Sequence, residues 1–152
     1  MAIEKTSIDL FAFLNLRDLD RLKALLREDA RLDFPKTQPL LGLDRILKFL
    51  HLLFRQYPEL TFTLHQTIVQ GNRGSVHWTN HGKNRRAEPY ENEGMTLLEL
   101  EERKISYISD FFKDTGKFLG RRDLAVFHFR GYFSGFSRLS ISKSTSNSGQ
   151  YR

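Results

Sequence analysis

Residues 104–114 read KISYISDFFKD, and Asp110 stands among apolar and aromatic side chains on both sides of an alternating pattern. Alternation of that kind describes a strand covered on both faces. Apolar cover disfavours the charged form of a carboxylate, so its pKa rises toward the operating pH. At such a pKa one group can both take and give a proton. Cofactor-free cyclisation or isomerisation asks for little else: a base for the proton beside a carbonyl, and an acid for the developing oxyanion. The plainer reading is an Asp110 that pairs with an arginine or caps a strand end near a rim.

Other residues could complete such a site. SVHWTNHG puts Val76, Trp78 and Asn80 on one strand face. Trp78 suits either the wall of a ring-binding pocket or a core, and Asn80 can donate to a carbonyl oxygen. Phe62, on the strand before, is placed among the same substrate contacts. Met95 and Leu97, on the strand after, are placed against the same cavity or in plain core. His77 and His81 face away from Trp78, and His65 lies on a Thr-rich face. A metal site needs three ligands aimed at one point, so none is expected. The chain has no Gly-rich phosphate loop, no G-x-S-x-G elbow and no H-E-x-x-H helix.

The elements that must position these groups follow from periodicity. Residues 6–15 read as a short helix capped by Thr6 or Ser7, with Ile8, Phe11 and Leu14 or Asn15 near one face. Asp18 caps a second helix over 19–28, stopped before a short extended piece at 30–35. A third helix spans 43–58, with Leu43, Ile46, Leu47, Leu50, Leu53 and Phe54 inward and Asp44, Lys48, His51 and Arg55 outward. The pattern then turns strand-like at 60–69, 75–82, 93–102 and 105–114, with a basic loop over 83–92. Helices first and a run of antiparallel strands after them define an α+β domain.

The 152 residues suit one such domain. The absence of cysteine excludes disulfides, thiolate ligands and a cysteine nucleophile. Nothing at the start reads as a secretory signal, so a cytoplasmic location is expected. The net charge of +6 belongs to the tail, because seventeen basic and seventeen acidic residues cancel up to Asp114. The domain is therefore placed at 1–119 and a basic, aromatic, then Ser-rich extension at 120–152, partly disordered. Arg121, Arg122, Phe127, Phe129 and Arg130 could meet nucleic acid or a membrane surface, but their alternating spacing favours packing.

The element order resembles the nuclear-transport-factor-two-like superfamily, and within it the SnoaL-like polyketide cyclases. The resemblance spans about residues 6–114. It rests on NLRDLDRLKALLREDARLDFP, the glycine and isoleucine of LLGLDRILKFL, the Val-x-Trp of SVHWTNHG, PYENEG and KISYISDFF. It implies a cone-like curved antiparallel sheet wrapped around the N-terminal helices, an apolar pocket inside, and a homodimer through the outer sheet face. It further implies that Asp110 faces the pocket as acid and base, with Asp33 near the mouth. Some relatives are steroid isomerases, whose base directly precedes a proline; here Phe34 holds that place and the base is missing or displaced to Asp33. Phe11 and Phe13 stand where the isomerase has a tyrosine, and Met95, Thr96 and Leu97 where it has a second acid. The second long strand lacks the Arg and Asp of the epoxide hydrolases. What remains is a cofactor-independent cyclase, isomerase or lyase for a small apolar carbonyl compound. The alternative is a non-catalytic dimeric ligand-binding or scaffold domain.

Overall fold

Two helices lead the chain: α1, Ala2–Leu16, and α2, Leu19–Leu25. The strands and third helix follow as β1 (Leu26–Asp33), β2 (Leu40–Leu41), α3 (Leu43–Gln56), β3 (Thr61–Gln70), β4 (Arg73–Lys83), β5 (Pro89–Glu101) and β6 (Lys104–Phe112). This computed structural model describes residues 2–117. The expected domain boundary at 119 and the basic tail beyond it lie outside the described residues. No helix among the described residues is long and apolar enough to cross a membrane.

The helices bury somewhat different stripes from those expected. α1 turns Ile3, Ser7, Leu10 and Phe11 inward and leaves Ile8 exposed. Thr6 and Ser7 do not cap it; their hydroxyls donate back to the carbonyls of Ala2 and Ile3, four residues earlier. Asp18 does cap α2, accepting from the Arg21 amide at 3.0 Å. α2 ends early because Leu26 is already extended and buried in β1. On α3 the inward residues are Ile46, Phe49, Leu50 and Leu53, at i, i+3, i+4 and i+7. Leu43, Leu47 and Phe54 sit on its flanks, half-buried. Burying a side chain the size of Phe49 contributes about 1.5–3 kcal/mol, so this stripe largely holds α3 against the sheet.

The six strands form one curved, unclosed sheet in the order β2-β1-β6-β5-β4-β3. It is mixed rather than wholly antiparallel: β1 runs parallel to β6, with Leu32 opposite Ile108 and Asp33 opposite Ser109. α1 reaches across to the far edge. The Asn15 side chain donates to the Phe62 carbonyl at 3.0 Å and accepts from the Phe62 amide at 2.8 Å, as another strand would. Arg17 donates to the carbonyls of Tyr57 and Leu60. These bonds pin the start of β3, and with it Phe62, over the concave side of the sheet. A bulge at His65 then reverses the parity of β3, so Phe62 and Leu64 point inward before it and Thr67 and Val69 after it.

Candidate functional site

The strand register arranges the concave face in rows, since opposite residues share a face. Val76, Thr96 and Asp110 form one row across β4, β5 and β6. Leu64, Trp78, Gly94 and Phe112 form the next, and Phe62, Asn80 and Asn92 the one after. Helices α1 and α3 cover these rows. Between them lies a hollow of about 60 Å3 whose wall includes Phe11, Phe49, Phe62, Trp78, Ile108 and Phe112. Trp78, Asn80, Tyr90, Thr96 and Asp110 are the lining residues with polar side-chain atoms.

Trp78 is buried and lies over Gly94. A Cβ at residue 94 would stand 2.7 Å from the indole Cζ2 and 2.4 Å from the Phe111 carbonyl oxygen. Glycine is therefore the residue that admits the indole there. The ring edge meets Phe62 at 5.1 Å between centroids, and Phe112 lies at 6.1 Å. The indole Nε1–H donates to Thr96 Oγ1 at 2.9 Å, and the Thr96 hydroxyl donates to Asp110 Oδ1 at 2.5 Å. Trp78 thus fixes which way the threonine proton points. The indole takes up one of the hydroxyl lone pairs, and the single hydroxyl proton goes to the carboxylate.

Asp110 as a whole is half-buried, because it also borders an outer depression shared with Asp33 and Phe111. Its carboxyl group is nevertheless crowded by protein. Desolvation by burial pushes its pKa up from 3.8 to about 6, against the opposing pull of the Thr96 hydrogen bond. Among the described residues no arginine holds it. Thr96→Val is therefore expected to move the Asp110 titration above that of the parent, read from the side-chain carboxyl carbon by 13C NMR. Trp78 emission should shift as the indole loses its acceptor, and an unmoved titration would show that the relay does not act on the acid.

The other predicted residues divide. Trp78, Asn80 and Phe62 line the hollow with Asp110. Met95 does not: it is 36% exposed on the convex face, opposite His77 and Phe111. Thr96 takes the inward place because Gly94 pairs with Trp78, which sets the parity of β5. Asp33 also stays outside the hollow. Arg31 grips it with two bonds of 2.7 and 2.9 Å, and the Tyr107 hydroxyl adds a third at 2.9 Å. The Arg31 guanidinium, then Tyr107, hold its pKa below the usual carboxylate value, which unsuits it as a base near neutrality. Phe34 turns into the hollow instead, against Phe49 and Phe112. His65 and His77 are neighbours on the convex face, 5.1 Å apart, and His77 bonds Glu93 at 2.8 Å. Among the described residues no three histidine or carboxylate side chains could hold a metal ion. Thr96, the lining residue that donates to Asp110, is not marked by the sequence pattern, and the cross-strand register reveals it.

The profile of the SnoaL-like domain matches residues 8–108. The chain belongs to the SnoaL-like domain family. Its fold is shared by a candidate SnoaL-like polyketide cyclase from Jannaschia sp. CCS1 at 18% identity and a TM-score of 0.68, covering 74% of this chain and 85% of the other. A nuclear-transport-factor-two-like protein of unknown function from Burkholderia pseudomallei aligns at 18% identity and a TM-score of 0.69, covering 74% and 92%. A candidate polyketide cyclase from Pseudomonas putida aligns at 19% identity and 0.65, covering 77% and 94%. At such identities these likenesses establish the SnoaL-like fold of the chain and nothing finer. No curated protein sequence matches it.

Proposed function

We propose that this SnoaL-like chain is a cofactor-independent cyclase, isomerase or lyase for a small apolar carbonyl compound, with Asp110 as its acid and base. The observation that carries this reading is a desolvated carboxylate, raised to about 6, in the wall of an otherwise mostly apolar hollow. Above that pH the free group is mostly ionised and can take a proton from the carbon beside the substrate carbonyl. The carboxylic acid so formed returns the proton to the enolate at another atom, or to its oxygen, and the carboxylate is restored. Thr96 occupies Oδ1, which leaves Oδ2 for the substrate. Trp78 and Phe62 offer ring faces and edges to hold a flat body.

A second reading, a ligand-binding or scaffold domain without chemistry, draws on the narrowness of the hollow. Its 60 Å3 is well below the roughly 150 Å3 of a cavity that accepts benzene, so a ring-sized ligand requires Phe62, Phe112 or Phe11 to turn aside. The two readings part on 2-tetralone in D2O, an enolisable ketone whose C1 protons are followed by 1H NMR. The enzyme reading expects the chain to accelerate their exchange over buffer, with a rate that rises through about pH 6 as Asp110 ionises. No acceleration on either side of that pH leaves the binder.

We propose also that two copies pair through the convex sheet face. Phe111 and Ile68 are 61% and 57% exposed there, in adjacent rows with Met95 and Leu97 between them. Burying them in a two-fold contact removes apolar surface from water. Light scattering is expected to give twice the chain mass, and Phe111→Glu to give a monomer. A parent chain that is already monomeric at micromolar concentration ends this proposal.

A further inference from the structure

Asn80 carries an unfilled hydrogen bond. The residue is 5% exposed, and its Oδ1 is enclosed by protein with no partner. One other buried side-chain atom among the described residues shares that state: the Nε of Arg17, in the clamp on the Tyr57 and Leu60 carbonyls, and Arg17 does not line the hollow. Asn80, by contrast, lines the hollow itself. Its cross-strand neighbour cannot help. The Asn92 amide nitrogen donates to the Tyr90 hydroxyl and the Asp114 carbonyl, and its oxygen accepts from the amides of Glu93 and Asp114. Phe62, the opposite neighbour, is a hydrocarbon ring whose backbone is taken by Asn15. A buried polar group left unpaired costs stability, and a leucine of similar size would avoid that cost. Such a group makes sense where a ligand completes it.

We propose that Asn80 reads a hydroxyl group on the ligand, so that the hollow selects a ring-bearing apolar molecule hydroxylated at the end away from Asp110. This rests on the reading of the hollow as a ligand site. The spacing supports two separate polar anchors. Asp110 lies opposite Thr96 and Thr96 opposite Val76, while Asn80 stands four residues beyond Val76 on the same strand. At 3.3 Å per residue that is about 13 Å along the sheet, too far for one functional group to touch both. Between the anchors lie Trp78 and Phe112, which offer no acceptor to a polar atom placed there. A hydroxyl both donates and accepts, so it satisfies the Asn80 amide whichever way that amide faces. The selectivity then comes from the penalty of leaving Asn80 unpaired, which a ligand lacking the hydroxyl cannot lift.

The test compares two one-ring probes, 4-fluorophenol and 4-fluorotoluene, by 19F NMR titration of the parent chain, Asn80→Leu and Asp110→Asn. Transfer from water into an apolar hollow favours the toluene, so a preference for the phenol demands a polar partner. The parent is expected to bind the phenol about tenfold more tightly or better, Asp110→Asn to keep that preference, and Asn80→Leu to reverse it. Should Asn80→Leu fail to fold, Asn80→Ala carries the same comparison. A parent that binds both probes equally, or the toluene better, overturns the role of Asn80. So does a preference lost in Asp110→Asn but kept in the Asn80 variant, which leaves the acid–base reading of Asp110 intact. Binding of neither probe to the parent removes the hollow as a ligand site, and both readings fall.

Discussion

Asp110→Asn is expected to slow the exchange of 2-tetralone C1 protons by roughly 10²–10⁴-fold, down to the buffer rate, which is the usual contribution of one positioned acid–base group. The substitution leaves the hydrogen bonding around the site in place. Asparagine has the shape of aspartate, and its carbonyl oxygen can still accept from the Thr96 hydroxyl, so the Trp78–Thr96 relay keeps its direction. What is lost is the ability to hold a proton at the hollow. Among the described residues no second carboxylate lines it, and Asp33, an acid near by, is committed to Arg31 and Tyr107. The parent should also lose activity below about pH 6, where Asp110 takes up the proton it needs to abstract. Binding supplies the control. Asp110→Asn should retain 4-fluorophenol, so a variant that binds normally and exchanges at the buffer rate isolates the chemical step. Full exchange activity in this variant would assign the proton transfer elsewhere.

How far the site could be read in the sequence depended on which relations the chain encodes locally. Asp110 amid alternating apolar residues, and Val76, Trp78 and Asn80 two apart, are local patterns. The structure places those side chains on the concave face together. Parity on β5 is not local. The run MTLLELE carries apolar residues at both parities, Met95 and Leu97 on one and Leu98 and Leu100 on the other, so alternation alone leaves the choice open. The choice is made by pairing with β4, where a glycine is required beneath the indole, and that contact turns Thr96 inward and Met95 out. Register is a property of two strands, and a one-residue slip exchanges every inward and outward residue. The same limit hid the start of β5 at Pro89, inside what reads as a basic loop, and the bulge at His65. Asp33 was misplaced for a different reason. Arg31 stands two residues before it on β1, on the same strand face, and such spacing marks a carboxylate already partnered. The parallel pairing of β1 with β6 joins residues some 75 apart and left no local trace.

Asp110→Asn is expected also to make the fold more stable at pH 8, by about 2–3 kcal/mol, and to leave it nearly unchanged near pH 3. Burial has moved the carboxyl from its ordinary 3.8 to about 6, so the folded chain holds its proton more tightly than the unfolded chain. Well below the ordinary pKa of 3.8 both states carry the proton and the shift has no effect. As pH climbs from about 4 to about 6 the unfolded state gives up its proton first, the folded state binds more protons than the unfolded, and stability falls. Above pH 6 the cost is complete. Each pKa unit corresponds to about 1.4 kcal/mol, which gives about 3 kcal/mol for the full shift, and the half-buried state of Asp110 trims it toward 2. Asparagine bears no charge at any of these pH values and escapes the cost. Other ionisable groups contribute equally to parent and variant, so they cancel in the difference. Urea denaturation of both chains at several pH values between about 3 and 8 measures it directly. Two stability curves that run parallel across that interval would mean that water reaches the carboxylate freely, and a freely solvated carboxylate titrates too low to serve as both acid and base near neutrality.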